Sequence, residues 1–185
     1  MLEDTYKNAK NDMTSSIENM KHNLATIRTG RASTALLDNI FINYYGNKTQ
    51  LKKCSTISLP EASLMVVQPW DPSMLDQIAK TIQKSDLGLN PSSDGKVLRI
   101  IIPPLSEERR KQIVKLVKNE QEASKVAVRN IRRDYISKIK EAEKNKEISE
   151  DESKKAQKRI QDITDESIKA IDDFVSLKTD EILND

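Results

Sequence analysis

Up to Gly30 the apolar residues recur at steps of three and four, at Leu2, Tyr6, Ala9, Met13, Ile17, Met20, Leu24 and Ile27, with no intervening Gly or Pro. At about 100° per residue this spacing draws one narrow stripe along an uninterrupted helix of roughly 40 Å. A second stripe follows Pro103-Pro104. There Ser106 offers an N-cap hydroxyl, Glu107 and Glu108 favour a helix N-terminus, and Ile113, Leu116, Val117, Val128, Ile131, Tyr135, Ile139 and Ala142 are expected to face inward, with no breaker until near Asn145. That helix would be about 60 Å long. Ser149-Glu150-Asp151-Glu152 has the pattern of a capping box and opens a third helix, with Ala156, Ile160, Ile163, Ile171, Phe174 and Leu177 as its inner face. Three long helices with one narrow stripe each bury those stripes by converging, so the spacing predicts a three-helix bundle.

Between the first two helices the period changes. Ile40-Phe41-Ile42, the turn at Tyr44-Tyr45-Gly46-Asn47-Lys48 and Thr49-Gln50-Leu51 predict a strand, a turn and a returning strand. Leu64-Met65-Val66-Val67 predicts another strand, Pro72-Ser73 opens a short amphipathic helix with Met74, Ile78 and Ile82, and the β-branched run from Val97 to Ile102 predicts a buried strand. Leu87-Gly88-Leu89-Asn90-Pro91 reads as a tight turn, with a contact loop as the alternative. The predicted class is therefore α+β: a bundle stem from residues 1–30 and 105–185, with a small α+β domain, 31–104, inserted between helices one and two. Two chain crossings, at Gly30 and at Pro103-Pro104, would join the domain to the stem as a hinge of limited freedom.

Composition narrows the function. With 36% hydrophobic and 32% charged residues, the chain is too polar for one large globule, which again favours elongated helices. Its charges are sorted by segment. From Leu105 to Arg133 there are nine Lys and Arg against four Asp and Glu, and from Glu141 to Asp185 there are eight against fourteen. On the second helix Arg129, Arg132 and Arg133 fan out from the edge of the apolar stripe, and Lys111, Lys115, Lys118 and Lys125 fall on the same side. A solvated face would explain lysines alone. Clustered guanidiniums are forks matched to phosphate oxygens, which points to a polyanion such as RNA.

Several classes are excluded. The sequence has no Walker A loop, no Gly-x-Ser-x-Gly and no Gly-rich dinucleotide fingerprint, and one His and one Cys cannot build a His/Cys metal cluster. We therefore expect no enzyme, no cofactor and no metal. His22 reads as an exposed or bundle-edge imidazole, and the acids from Glu147 to Glu152 as capping. Cys54 has no partner and reads as a free buried thiol in a reducing compartment. The start of the chain lacks signal-peptide features and no apolar run approaches about 18 residues, so a cytoplasmic protein off the membrane is expected. Tyr44-Tyr45 and Trp70 are expected in the small domain's core or hairpin, which leaves RNA recognition to backbone phosphates and shape. A coiled-coil adaptor or chaperone that binds only proteins remains the alternative, with the basic stripe incidental.

Arg28-Thr29-Gly30-Arg31-Ala32-Ser33, Tyr44-Tyr45-Gly46, Ser85 to Pro91, Pro103 to Lys111, Val126 to Asp134 and Lys146 to Asp151 occur in that order across almost the whole chain. Together they resemble the signature segments of the bacterial ribosome recycling factor family. The resemblance implies a two-domain, L-shaped monomer whose stem contacts RNA of the large ribosomal subunit. With elongation factor G and GTP, it would split the post-termination ribosome and release mRNA and tRNA. Carried onto this sequence, the RNA-binding positions are Arg132 foremost, with Arg129, Arg133, Arg110, Arg28 and Arg31, and the hinge positions are Gly30, Pro103 and Pro104. Ser106 stands where relatives often have Thr, and Ile101 where a less apolar residue is frequent.

Overall fold

A computed structural model describes residues 1–184. The chain is α+β and divides into two compact units, one formed by Met1–Leu24 with Val114–Glu181, the other by Ala25–Ile113 with the described residues from Ile182 onward.

The first unit is built from α1 (Leu2–Ala25), most of α3 (Glu107–Lys144) and α4 (Glu150–Asn184). Its core follows the expected stripes: Ala9, Met13, Ile17 and Met20 on α1, Val117, Val128, Tyr135 and Ile139 on α3, and Ala156, Ile160, Ile163 and Ile171 on α4 are all buried. The Tyr135 hydroxyl donates to Asp12 Oδ2 at 2.6 Å and ties α3 to α1. Burial, then the bond to Asp12, raises its pKa to about 12. The helix ends are capped as their sequences require. Ser106 Oγ accepts from Arg109 N at 3.2 Å. Glu152 N donates to Ser149 Oγ at 3.2 Å while Ser149 N donates to Glu152 Oε2 at 2.8 Å, a reciprocal capping box. Between α3 and α4, Lys146 takes φ 59, and the amides of Lys146 and Glu147 donate to the carbonyls of Glu143 and Ala142 at 2.9 Å.

Two expected core positions face out. Leu177 is 66% exposed and Leu116 45% exposed. Leu177 lies about 240° round the helix from Ile171, and Val175 is buried in its place. Leu116 falls on the flank of the line through Ile113 and Val117.

The second unit holds β1 (Phe41–Tyr44) and β2 (Asn47–Gln50) as a hairpin, and β3 (Ser55–Glu61), β4 (Leu64–Pro69), β5 (Pro91–Ser93) and β6 (Leu98–Ile101) as an antiparallel sheet in the order β3-β4-β6-β5. The hairpin turns on Tyr45 at φ 48 and Gly46 at φ 83, the two left-handed residues of a type I′ turn. Helix α2 (Leu75–Lys84) follows a 3-10 turn at Pro72–Met74 whose N-cap is Asp71. Leu36, Leu37, Ile42, Leu51, Met65, Val67, Ile78, Ile82, Leu98 and Ile100 form one continuous apolar core.

Two expectations need correction here, and two strands lie outside them. The last strand is not wholly buried: along β6 burial alternates, and Ile101 is 69% exposed, because the sheet buries only one face. Strands β3 and β5 stand where the sequence predicts none: they are the edges of the sheet, Ile57 and Leu59 are the only aliphatic residues of β3, and Pro-Ser-Ser has none. Trp70 is no core residue. It is 63% exposed, and its Nε1 donates to Thr56 Oγ1 at 3.2 Å.

Candidate nucleic-acid interface

Helix α3 presents the basic track. In a helix of 3.6 residues per turn, Lys115 and Arg133 are about five whole turns apart and point the same way, with Lys111, Lys118 and Arg129 within about 60° of them. Lys115, Lys118, Arg129 and Arg133 are exposed. Arg129 Nη1 pairs with Glu122 Oε1 at 3.0 Å across an exposed surface, a contact that solvent and salt screen strongly. Lys111 pairs with Glu107 at 3.1 Å under the same conditions. Arg133 has no hydrogen bond or ion pair among the described residues, so its whole guanidinium is available to a ligand.

Arg132 and Lys125 sit differently, on the flank of α3 that turns towards α4. Arg132 is half-buried; its Nη1 donates to Gln161 Oε1 at 3.1 Å, and its Nε is buried with no hydrogen-bond partner among the described residues. Lys125 pairs with Asp172 at 2.6 Å, and Gln121 donates to the same Asp172 oxygen at 2.6 Å. The Lys125 ammonium holds the Asp172 carboxyl below the usual carboxylate range. Gln161 and Asp172 were missed from the sequence. The signal that could have found them is helical register: an antiparallel α4 places Asp172 opposite Gln121 and Gln161 opposite Arg132.

The remaining expected positions lie in the second unit. Arg110 is half-buried, and its Nη1 donates to the carbonyl of Leu183 at 2.8 Å, capping the end of α4. Arg28 is half-buried, with Nη1 and Nη2 each 3.5 Å from the carbonyls of Leu87 and Pro103, respectively. Arg31 is exposed, and its backbone amide donates to Thr29 Oγ1 at 3.3 Å. Gly30 lies beside the returning chain: a Cβ placed there would be 3.9 Å from Leu105 N. Pro103 and Pro104 are exposed on that returning segment. The structure thus brings Arg129, Arg132 and Arg133 together on one helix and gives Arg28 and Arg110 internal carbonyl partners. Leu87-Gly88-Leu89-Asn90-Pro91 is a turn, with Gly88 at φ +63 and Leu89 buried in the small core.

The described residues contain no group of His, Cys, Asp and Glu able to hold a metal ion, and no helix long and apolar enough to cross a membrane. His22 is exposed, and the acids near Ser149 serve the capping box.

Comparison with known proteins gives a consistent result over the whole chain. Residues 20–183 match the family model for ribosome recycling factor. A ribosome-recycling factor of Acetivibrio thermocellus is 49% identical over 180 residues, 97% of this chain and 98% of the relative. One from Thermomicrobium roseum is 50% identical over 183 residues, 99% of each. Among solved structures, a solution structure of the ribosome recycling factor aligns with a TM-score of 0.77 at 42% identity, covering 100% of this chain and 98% of that one. A second aligns with a TM-score of 0.69 at 45% identity, covering 99% of each; it presents models for the T. thermophilus ribosome recycling factor and the E. coli elongation factor G bound to the E. coli post-termination complex.

Proposed function

Because the chain belongs to the ribosome recycling factor family, we propose that it binds the post-termination ribosome through the basic face of α3. With elongation factor G and its GTP hydrolysis, it then drives the subunits apart to release mRNA and tRNA. The observation that carries this reading is the set of exposed cations on one side of α3, Lys115, Lys118, Arg129 and Arg133. The partner elongation factor in the related complex supports the second half. The protein acts as a cytoplasmic monomer on RNA of the large subunit, and it performs no catalysis itself, since the free energy comes from the partner GTPase.

Arg132, Arg129 and Arg133 are the phosphate ligands in this account. Gln161 holds one arm of Arg132 and so orients the others without conformational search. Arg110, Arg28 and Arg31 extend the basic region, although Arg110 and Arg28 already donate to carbonyls of the chain. In this account residues 1–30 and 105–185 serve as the stem and 31–104 as a small domain that moves on Gly30, Pro103 and Pro104, although the compact units divide the chain at Leu24 and Ile113 and place those three residues inside the second unit.

Co-sedimentation with ribosomes across a salt titration tests the reading. About four phosphate contacts give a slope of log K against log salt near −3, from roughly −0.7 to −0.9 per contact. Arg133→Ala and Arg132→Ala should each weaken binding by about 1.5 to 3 kcal/mol, with Lys at either position restoring only part. No binding even at low salt would return the protein to the adaptor class.

A further inference from the structure

Arg132 and Lys125 lie on the same flank of α3, and α4 answers them with different groups. Opposite Lys125 stands a carboxylate, Asp172 at 2.6 Å, which pairs the ammonium with an opposite charge. Opposite Arg132 stands a neutral amide: Gln161 Oε1 accepts from Arg132 Nη1 at 3.1 Å, the only hydrogen bond that Arg132 makes among the described residues. Arg132 is therefore held in place and keeps its full charge. The amide is itself held. Gln161 Nε2 donates to Asp165 Oδ1 at 2.8 Å, one turn further along α4, where side chains four residues apart meet. A guanidinium can only donate and a carboxylate can only accept. The amide between them satisfies both in one orientation alone, with its oxygen towards Arg132 and its nitrogen towards Asp165. Arg132 Nε is buried without a hydrogen-bond partner among the described residues, so the whole hold on the guanidinium passes through Nη1 and Gln161. All three residues belong to the first compact unit.

We propose that Asp165 is a positioning residue: by fixing the polarity of the Gln161 amide it presets the Arg132 guanidinium for a phosphate that Asp165 itself never touches. The inference rests on the phosphate role proposed above for Arg132. Its physical basis is entropy, since a long side chain that is already ordered loses less freedom when it meets its ligand. The amide is the right link for this task. It transmits the hold from one charged group to another without neutralising the cation, whereas a carboxylate in its place would do to Arg132 what Asp172 does to Lys125. The relay also reverses the sign expected from simple electrostatics. An exposed acid beside a basic face repels a polyanion, so on charge alone any loss of Asp165 strengthens binding. On the relay, loss of its acceptor oxygen weakens binding.

The test uses the full chain with Asp165→Leu, which removes both the charge and the acceptor, and Asp165→Asn, which removes the charge and keeps an acceptor oxygen. Leucine is a good helix former at an exposed position, so the fold should survive; if it does not, Asp165→Ala, equally without an acceptor, takes its place. In the free protein, NMR relaxation of the Arg132 Nε–H should give a lower order parameter for Asp165→Leu than for the parent, with Asp165→Asn close to the parent. In co-sedimentation, Asp165→Leu should bind ribosomes about threefold more weakly, the order expected when part of the cost of immobilising one long side chain moves to the binding step. Asp165→Asn should bind at least as tightly as the parent. The threefold loss should vanish in an Arg132→Ala background, because two residues that act through one contact are not additive. Leu and Asn variants that bind alike overturn the relay, and so does a loss that persists without Arg132. An unchanged order parameter in Asp165→Leu overturns it as well. Failure of the parent chain to bind ribosomes would remove the phosphate role and leave the order parameter to judge the relay alone.

Discussion

The small unit and the helical unit are held together by different means. In the small unit apolar side chains from the hairpin, the sheet and α2 meet in one thick core, and side-chain ion pairs are few. In the helical unit each helix gives one narrow stripe, and polar side chains close the seams: Tyr135 to Asp12, Gln121 and Lys125 to Asp172, Arg132 to Gln161, Asn23 to Glu120. The contrast shows how a narrow core recruits its flanks. Residues that would be free surface on a thicker domain become structural on a rod, and a basic helix must divide its cations between holding neighbours and meeting a ligand.

The sharpest way to break that contrast is to cut the thick core. Leu98→Ala should cost about 3 kcal/mol, the usual range for a fully buried leucine, and the loss should be confined to the small unit. Urea unfolding followed by Trp70 fluorescence should shift to lower denaturant while the helical signal in far-UV circular dichroism stays. Coincident shifts would mean that the two units unfold together.

In the helical unit single changes should cost less and depend more on pH. Tyr135→Phe removes the bond to Asp12 and should cost about 1.5 kcal/mol. The same residue sets an alkaline limit. Its folded pKa is raised to about 12 from an ordinary value of 10.0, so its contribution is whole below pH 10 and is lost as pH rises towards 12. Thermal melts at pH 9 and pH 11 should therefore diverge in the parent more than in Tyr135→Phe, and equal divergence would show that other groups set the limit.

Smaller effects lie at the helix ends. Ser149→Ala breaks the capping box and should cost about 1 kcal/mol, seen as a lower thermal midpoint for the helical signal. Lys146→Gly should instead stabilise by about 0.5 kcal/mol, since glycine accepts the left-handed conformation without strain. A neutral or harmful Lys146→Gly would show that the lysine side chain contributes something the backbone does not.

Much of the fold is legible in the sequence, because helical periodicity is a strong signal over long stretches: the spans of α1, α3 and α4 follow from it to within a few residues. Strands β3 and β5 are not legible, since the alternation in β3 rests on Ile57 and Leu59 alone before Pro60, and β5 is three residues with no large apolar side chain. The exposure of Ile101 and Trp70 escapes as well. An apolar residue on a one-sided sheet or at its end looks in sequence like one from the core. In the candidate interface the angular placement of Arg129 and Arg133 is read correctly from 100° steps. The half-burial of Arg132 is not, because it depends on which neighbouring helix lies against that flank.

Cys54 gives the small unit an internal clock. Its thiol is 2% exposed, donates to the carbonyl of Leu51 at 3.3 Å, and burial raises its pKa, so both access and the reactive thiolate are suppressed while the core is closed. A thiol reagent can then modify the native chain only during openings, and in reagent excess the observed rate becomes the opening rate itself. Ribosomes that clamp the unit shut would stretch that interval, and a partner that pries it open would shorten it. The chain therefore carries its own timer for mechanical events that leave no trace at equilibrium.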